Sequence, residues 1–289
     1  MQPIVDTELW MAHKRRAAAR PVEGADFLMR RAAEDLADRL SAVERRFADA
    51  AALFCQTRAA SDVLAASGKV ETVTRVEAAD LFLGGAEGTV SPFETVPFEP
   101  ESLDLAVSLF SLQSMNDIPG FLAQIRRALR PDGLLLAAFA GAGTLAELRE
   151  SLLAAETELY GGASPRVLPF TDVRDAGALL QRAGFALPVA DVETSIVRYD
   201  TMLHLMADLR TVGEQNALVD RTRRPAARRL FQRAAHIYAE RFSDPDGRVR
   251  ATFSTVWLSG WAPHASQQKP LKPGSGQVSL TEVLGDRSR

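Results

Sequence analysis

The sequence is most informative at first through what it has little of. One cysteine, Cys55, occurs in 289 residues, so no internal disulfide can form and a disulfide-stapled secreted scaffold is excluded. No run approaches the roughly 18 consecutive apolar residues that a membrane-spanning helix needs. The N-terminal stretch MQPIVDTELWMAHKRR places its charges after its apolar residues, the reverse of a secretory signal. Together these features lead to the expectation of a soluble cytoplasmic protein in a reducing compartment. An excess of positive charge is also missing: the net charge is −3 and the pI about 5.9, which gives no reason to expect nucleic-acid binding. The most specific absence is local. From Ala52 to Leu64, ALFCQTRAASDVL contains no glycine, although it reads as a strand, a turn and a helix start, where nucleotide-binding α/β proteins commonly place a glycine-rich turn.

What is present describes a full globular core. Apolar residues make up 46% and charged residues 25% of the chain, which excludes disorder for most of it. Residues 1–48 read as an N-terminal helical segment, with Phe27, Leu28, Ala32, Leu36 and Leu40 at helical spacing and Pro21 and Gly24 dividing it. Arg15, Arg16, Arg20, Arg30 and Arg31 form a basic cluster there, open to two readings: a solvated face or a partner surface.

From Asp49 short apolar runs alternate with helical ones, the pattern of βαβ units and a parallel sheet. The expected strands are 51–55, 70–76, 89–92, 103–112 and 133–140, then 190–199 and 248–261. In DIPGFLAQIRRALRPDG, Asp117 is placed to cap a helix, Pro119 suits its first turn, and Pro131-Asp132-Gly133 is expected to end it. Thr144 and Glu147 match a capping box. A helical insertion is expected at about 200–246 within a domain spanning 49–262, followed by a flexible Pro/Gly/Ser-rich tail at 263–289.

The stretch SLDLAVSLFSLQSMNDIPGFLAQIRRALRPDGLLLAAFAG resembles the second half of a class I S-adenosylmethionine-dependent methyltransferase. GTLAELRESLLAAETELYGGASPRVLPFTDVRDAGALLQRAGF, YDTMLHLMADLRTVGEQNAL and GWAPHASQQKPLKPGSG further resemble the methyltransferase-fold family of respiratory complex I assembly, which has mitochondrial and alphaproteobacterial members. That resemblance implies a Rossmann-like α/β fold with a seven-stranded, mostly parallel sheet, an antiparallel last strand and the helical insertion before it. It also implies S-adenosylmethionine as cofactor and an iron–sulfur subunit of NADH dehydrogenase as partner. The more distant carboxyl methyltransferases of biotin synthesis share the fold.

Set against the family pattern, the cofactor positions depart in four places. After the first strand, Leu53 falls near the family aspartate, while Cys55, Thr57 and Ala59 fall on its glycines. Arg75 stands where a carboxylate should accept from the ribose hydroxyls, with Glu77 two residues on available only if the register shifts. Ser91, Pro92 or Phe93 replaces the aspartate that holds adenine. Gln113 and Ser114 replace a His-Trp pair. The expectation is a degenerate S-adenosylmethionine pocket filled by side chains and a partner-binding role. The alternatives are an active methyltransferase or an arginine hydroxylase. Three further features have plain readings: Cys55 as an inert core thiol, His204 and Asp208 as a surface pair rather than a metal site, and Trp257 with Trp261 as core packing.

Overall fold

A computed structural model describes residues 2–268, and its core follows from the alternation of buried strands and half-buried helices. Two helices lead, α1 (Thr7–Ala18) and α2 (Phe27–Ser41). Then come β1 (Phe47–Leu53), α3 (Ala59–Ala66), β2 (Val70–Glu77), the single turn α4 (Asp80–Leu83), β3 (Thr89–Val90) and β4 (Leu103–Leu109). Next are α5 (Ile118–Ala128), β5 (Leu129–Ala140), α6 (Ala146–Tyr160), α7 (Val173–Arg182) and β6 (Ala186–Tyr199). The chain continues through α8 (Met202–Thr211), α9 (Arg228–Phe242) and β7 (Val249–Trp261). The expected tail lies mostly outside the described residues.

The seven strands form one sheet in the order β3-β2-β1-β4-β5-β7-β6. β1 to β5 run parallel, and β7 enters antiparallel between β5 and β6. The order reverses between β1 and β4, so a crevice is expected beyond the carboxyl ends of those two strands. The expected fold class and its helical insertion, α8 and α9, are both present.

The sheet is covered on both faces, which is why β4 and β5 are apolar without alternation. On one face α5 and α7 bury Phe121, Leu122, Ile125, Leu179 and Leu180 against Ala51, Leu53 and Leu135. On the other, α2 and α3 bury Leu36, Leu40 and Leu64 against Ala50, Ala52 and Leu136. Full burial of each such side chain is worth about 1.5–3 kcal/mol. Trp257 lies in the second cluster at 1% exposure, with Arg39 stacked 4.4 Å above its ring, so it serves packing.

Side-chain caps fix the starts of α1, α5, α7 and α8. Asp117 caps α5 by accepting from the Gly120 N–H, and an added Cβ at residue 120 would collide with that carboxylate. Two expectations are corrected. α5 ends at Ala128, and Pro131-Asp132-Gly133 belongs to β5, where a bulge against β4 admits left-handed Asp132. Thr144 and Glu147 do not form a capping box: Thr144 Oγ1 donates to Ser254 O, and Glu147 accepts from Thr252, so both bind β7 instead.

Candidate functional site

A cavity of about 860 Å³ opens at the carboxyl ends of the parallel strands, on the side where the strand order reverses. Its floor is Gln56–Arg58 after β1, Leu81–Gly84 around α4, and Phe110 and Gln113 after β4. The loop Pro21–Asp26 between α1 and α2, the first turn of α2 to Arg30, and the segment from Thr211 to Asn216 at the end of α8 supply its rim. The charges on this rim are largely matched within the protein: Lys14 pairs with Glu214 at 2.6 Å, and Arg166 with Glu156 at 2.8 Å. The volume lies within the range of small-ligand pockets.

The turn after β1 has an unusual backbone. Phe54 and Gln56 both adopt left-handed dihedrals, with φ of 54° and 62°, a region costing a residue with a Cβ roughly 1–2 kcal/mol. The glycine-like positions are therefore Phe54 and Gln56, one residue away from the expected Cys55 and Thr57. Left-handed Phe54 also breaks the strand's alternation, so Leu53 and Phe54 face the same core cluster while Cys55 faces the other. The Phe54 ring packs 5.9 Å from Phe121 and 5.4 Å from Phe93, and Phe93 stacks 4.4 Å from Trp10 of α1.

The end of β2 corrects a second expectation. β2 continues through Glu77, so Glu77 and not Arg75 stands at the strand's carboxyl end. Arg75 is pinned into the protein, donating to the carbonyls of Phe82 and Leu83 at 2.9 and 3.0 Å. Glu77 is only 1% exposed; its Oε1 accepts from the Gln56 N–H at 2.9 Å and lies 3.4 Å from Arg75 Nη2. Its Oε2 is enclosed without a hydrogen-bond partner. Burial pushes the Glu77 carboxyl up to about 8, with the Arg75 charge opposing but not cancelling the effect. Burial likewise pushes the Cys55 thiol up to about 12, and its sulfur accepts from the Leu109 N–H.

Of the expected pocket positions, Thr57 and Gln113 line the cavity, whereas Leu53, Cys55, Arg75, Pro92 and Phe93 do not. Gln113 Nε2 donates to Phe110 O, while its Oε1 is left without a partner, as is Gln56 Nε2. Pro92 is exposed, and Ser91 Oγ donates to Thr95 O. Phe54, Gln56 and Trp10 were not among the expected site residues, and Glu77 was named only as an alternative requiring a shift of register. Ending β2 one residue later favours Glu77 over Arg75, whereas the Trp10–Phe93 stack is a tertiary contact with no local signal.

These residues do not fit an S-adenosylmethionine nucleoside as they are arranged. A ribose diol needs acceptors that reach the cavity, and Glu77 does not line it: its Oε1 accepts from the protein's own turn amide and its Oε2 is enclosed. Phe54 and Phe93 pack against each other and Trp10 beside that turn. The retained Asn116 of the NDIP stretch is committed elsewhere: its side chain binds Ile4, Val5 and Thr7 and fastens the N-terminal segment to the sheet. Asp208 accepts from the Tyr199 hydroxyl at 2.8 Å. Among the described residues no group of three or more His, Cys, Asp or Glu side chains is placed to hold a metal ion.

Comparison with known proteins accords with this architecture. Residues 48–137 match the family described as a methyltransferase domain. The chain is 36% identical to the human protein named arginine-hydroxylase NDUFAF5, mitochondrial, over 97% of this chain and 83% of that one. It is 42% identical to the Dictyostelium discoideum protein of that name over 191 residues, spanning 44% of that relative's length. It is also 38% identical over 181 residues to the malonyl-[acyl-carrier protein] O-methyltransferase of Laribacter hongkongensis. In fold it is similar to a candidate methyltransferase from Bacillus halodurans, with a TM-score of 0.55 at 14% identity, covering 80% of this chain and 98% of that one.

The expectation of a cytoplasmic location is corrected by the NDUFAF5 relatives, whose names place them in mitochondria. A single cysteine and a mild net charge cannot separate one reducing compartment from another. With the human relative matched over nearly the whole chain and the sheet order in place, the chain belongs to the NDUFAF5 family of methyltransferase-fold proteins.

Proposed function

We propose that this chain serves the assembly of respiratory NADH dehydrogenase by holding a segment of a partner protein in the cavity above the strands, with an S-adenosylmethionine pocket that has become degenerate. The partner expected is an iron–sulfur subunit of that enzyme. The observation that carries this reading is the Gln56–Glu77 bond: the group suited to a ribose is closed onto the backbone, while a cavity of about 860 Å³ persists beside it. The cavity rim comes from the helical insertion and the N-terminal helices, elements added to the common sheet. In a strain lacking this chain, assembled NADH dehydrogenase on native gels should fall sharply and return on complementation. Unchanged assembly would remove the proposal.

The match to relatives named as arginine hydroxylases favours a second reading, hydroxylation of an arginine on that subunit. It requires an oxidant bound by a donor set other than a His/Cys/Asp/Glu cluster among the described residues. Mass spectrometry of the iron–sulfur subunit decides it: an arginine gaining one oxygen in wild-type cells and none in the deletion strain is the expected signature. An identical spectrum in both strains eliminates this reading.

A further inference from the structure

The basic cluster noted in the sequence divides in two once side-chain partners are known. Arg30 and Arg31 are neutralised by Asp26 and Glu193. Arg15, Arg16 and Arg20, on and just after α1, are exposed and have no carboxylate partner among the described residues. A second group of exposed arginines without carboxylate partners follows the insertion's first helix: Arg223, Arg224, Arg228 and Arg229. The segment that leads into the second group is fastened to α1. Arg221, two residues before the second group, binds Asp6 at the start of α1 at 3.0 Å. His13 of α1 is held below the usual histidine range first by burial and then by Arg16, with Arg221 acting in the same direction.

The second group is placed against its own helix. Arg228 and Arg229 occupy the first turn of α9, where the peptide dipoles present positive charge, and neither an acidic residue nor a side-chain cap offsets them. Cations there work against the fold, so an external anion is the natural complement. The apolar face of α9, Leu230, Ala234, Ile237 and Tyr238, is already buried within the protein, so this helix has no apolar stripe left to insert into a lipid layer. Planar guanidinium forks match carboxylates in pairs. The patch also adjoins the cavity, because Arg20 leads directly into the Pro21–Arg30 rim.

We propose that Arg15, Arg16 and Arg20 together with Arg223, Arg224 and Arg228 form the docking surface for an acidic segment of a partner protein, guiding that partner onto the cavity rim. This rests on the reading that the chain acts on a protein. Encounter between opposed charges of this kind is steered and salt-dependent.

The test uses the full chain and a labelled oligoglutamate peptide, with phosphatidylcholine vesicles containing phosphatidylglycerol as a second arm. Two patch variants, R15E/R16E/R20E and R223E/R224E/R228E, are compared with a control, R127E/R174E/R182E, that changes the same charge at exposed arginines on other elements. R228E places an acid at the α9 N-terminus, so the second variant should fold at least as well as wild type. The expected result is peptide binding that weakens with salt, is lost about tenfold or more in each patch variant, and is unchanged in the control. Absence of peptide binding, an equal loss in the control, or patch-dependent binding to vesicles alone would overturn the proposal. Peptide binding and assembly are read separately, so normal NADH dehydrogenase in a deletion strain alongside intact peptide binding would remove the assembly reading and leave the patch.

Discussion

The Gln56 N–H donates to Glu77 Oε1 across 2.9 Å, tying the turn after β1 to the end of β2. Glu77 also faces Arg75, so its side chain organises the floor of the site from within. Removing the carboxyl leaves two buried donors, the Gln56 N–H and the Arg75 guanidinium, without this acceptor. Glu77→Ala should therefore cost about 1–3 kcal/mol in chemical denaturation.

The same carboxyl gives a pH dependence of defined sign. Its folded-state value of about 8 lies above its ordinary 4.5, so the folded protein holds this proton more tightly than the unfolded chain does. Its contribution is fully present below about pH 4.5 and is lost as pH rises through 8. Glu77→Gln removes the titrating group, so the difference in stability between variant and wild type should shift toward the variant from pH 5 to about 8. Parallel pH profiles for the two proteins would contradict the assignment.

Phe54 and Gln56 should invert the usual order of alanine and glycine. Both Phe54→Ala and Phe54→Gly lose the buried ring, but only glycine relieves the left-handed backbone, so Phe54→Gly should be the more stable of the two by about 1 kcal/mol. Gln56→Gly should be tolerated within about 0.5 kcal/mol, because relief of strain offsets the added freedom of the unfolded chain. Thermal melts of the three variants check the order.

Cys55 should behave as core rather than as a reagent. With its thiol pushed to about 12 and the side chain enclosed, a disulfide reagent should label it only when denaturant is added. Rapid stoichiometric labelling of the native protein would show that this part of the core opens.

Asn116 holds residues Ile4 to Thr7 through both ends of its amide. Asn116→Ala should cost about 2 kcal/mol, since two backbone amides and a carbonyl lose their partner. Hydrogen exchange at Ile4 and Val5 should accelerate, whereas exchange within β4 and β5 should not.

The fold was legible from sequence because strand and helix periodicities alternate cleanly and because Asp117 caps the helix it precedes. The site was legible only in part. A left-handed backbone normally announces itself through glycine, but Phe54 and Gln56 carry it with side chains, so the turn was placed one residue late. Glu77 was set aside because β2 was expected to end at Val76; the Val76 carbonyl accepts from the Phe54 N–H, which brings the next residue level with the turn. Thr144 and Glu147 matched a capping box, yet their hydrogen bonds went to β7, a strand more than 100 residues distant that local spacing cannot reveal.

The most direct test of the central claim is calorimetric titration of the full chain with S-adenosylmethionine and S-adenosylhomocysteine near neutral pH. With Glu77 closed onto Gln56 and Phe54 packed against Phe93, neither compound should give saturable binding in the micromolar range. Micromolar binding of either one would contradict the account, because it would require this turn to open and present the Glu77 carboxylate to a ribose.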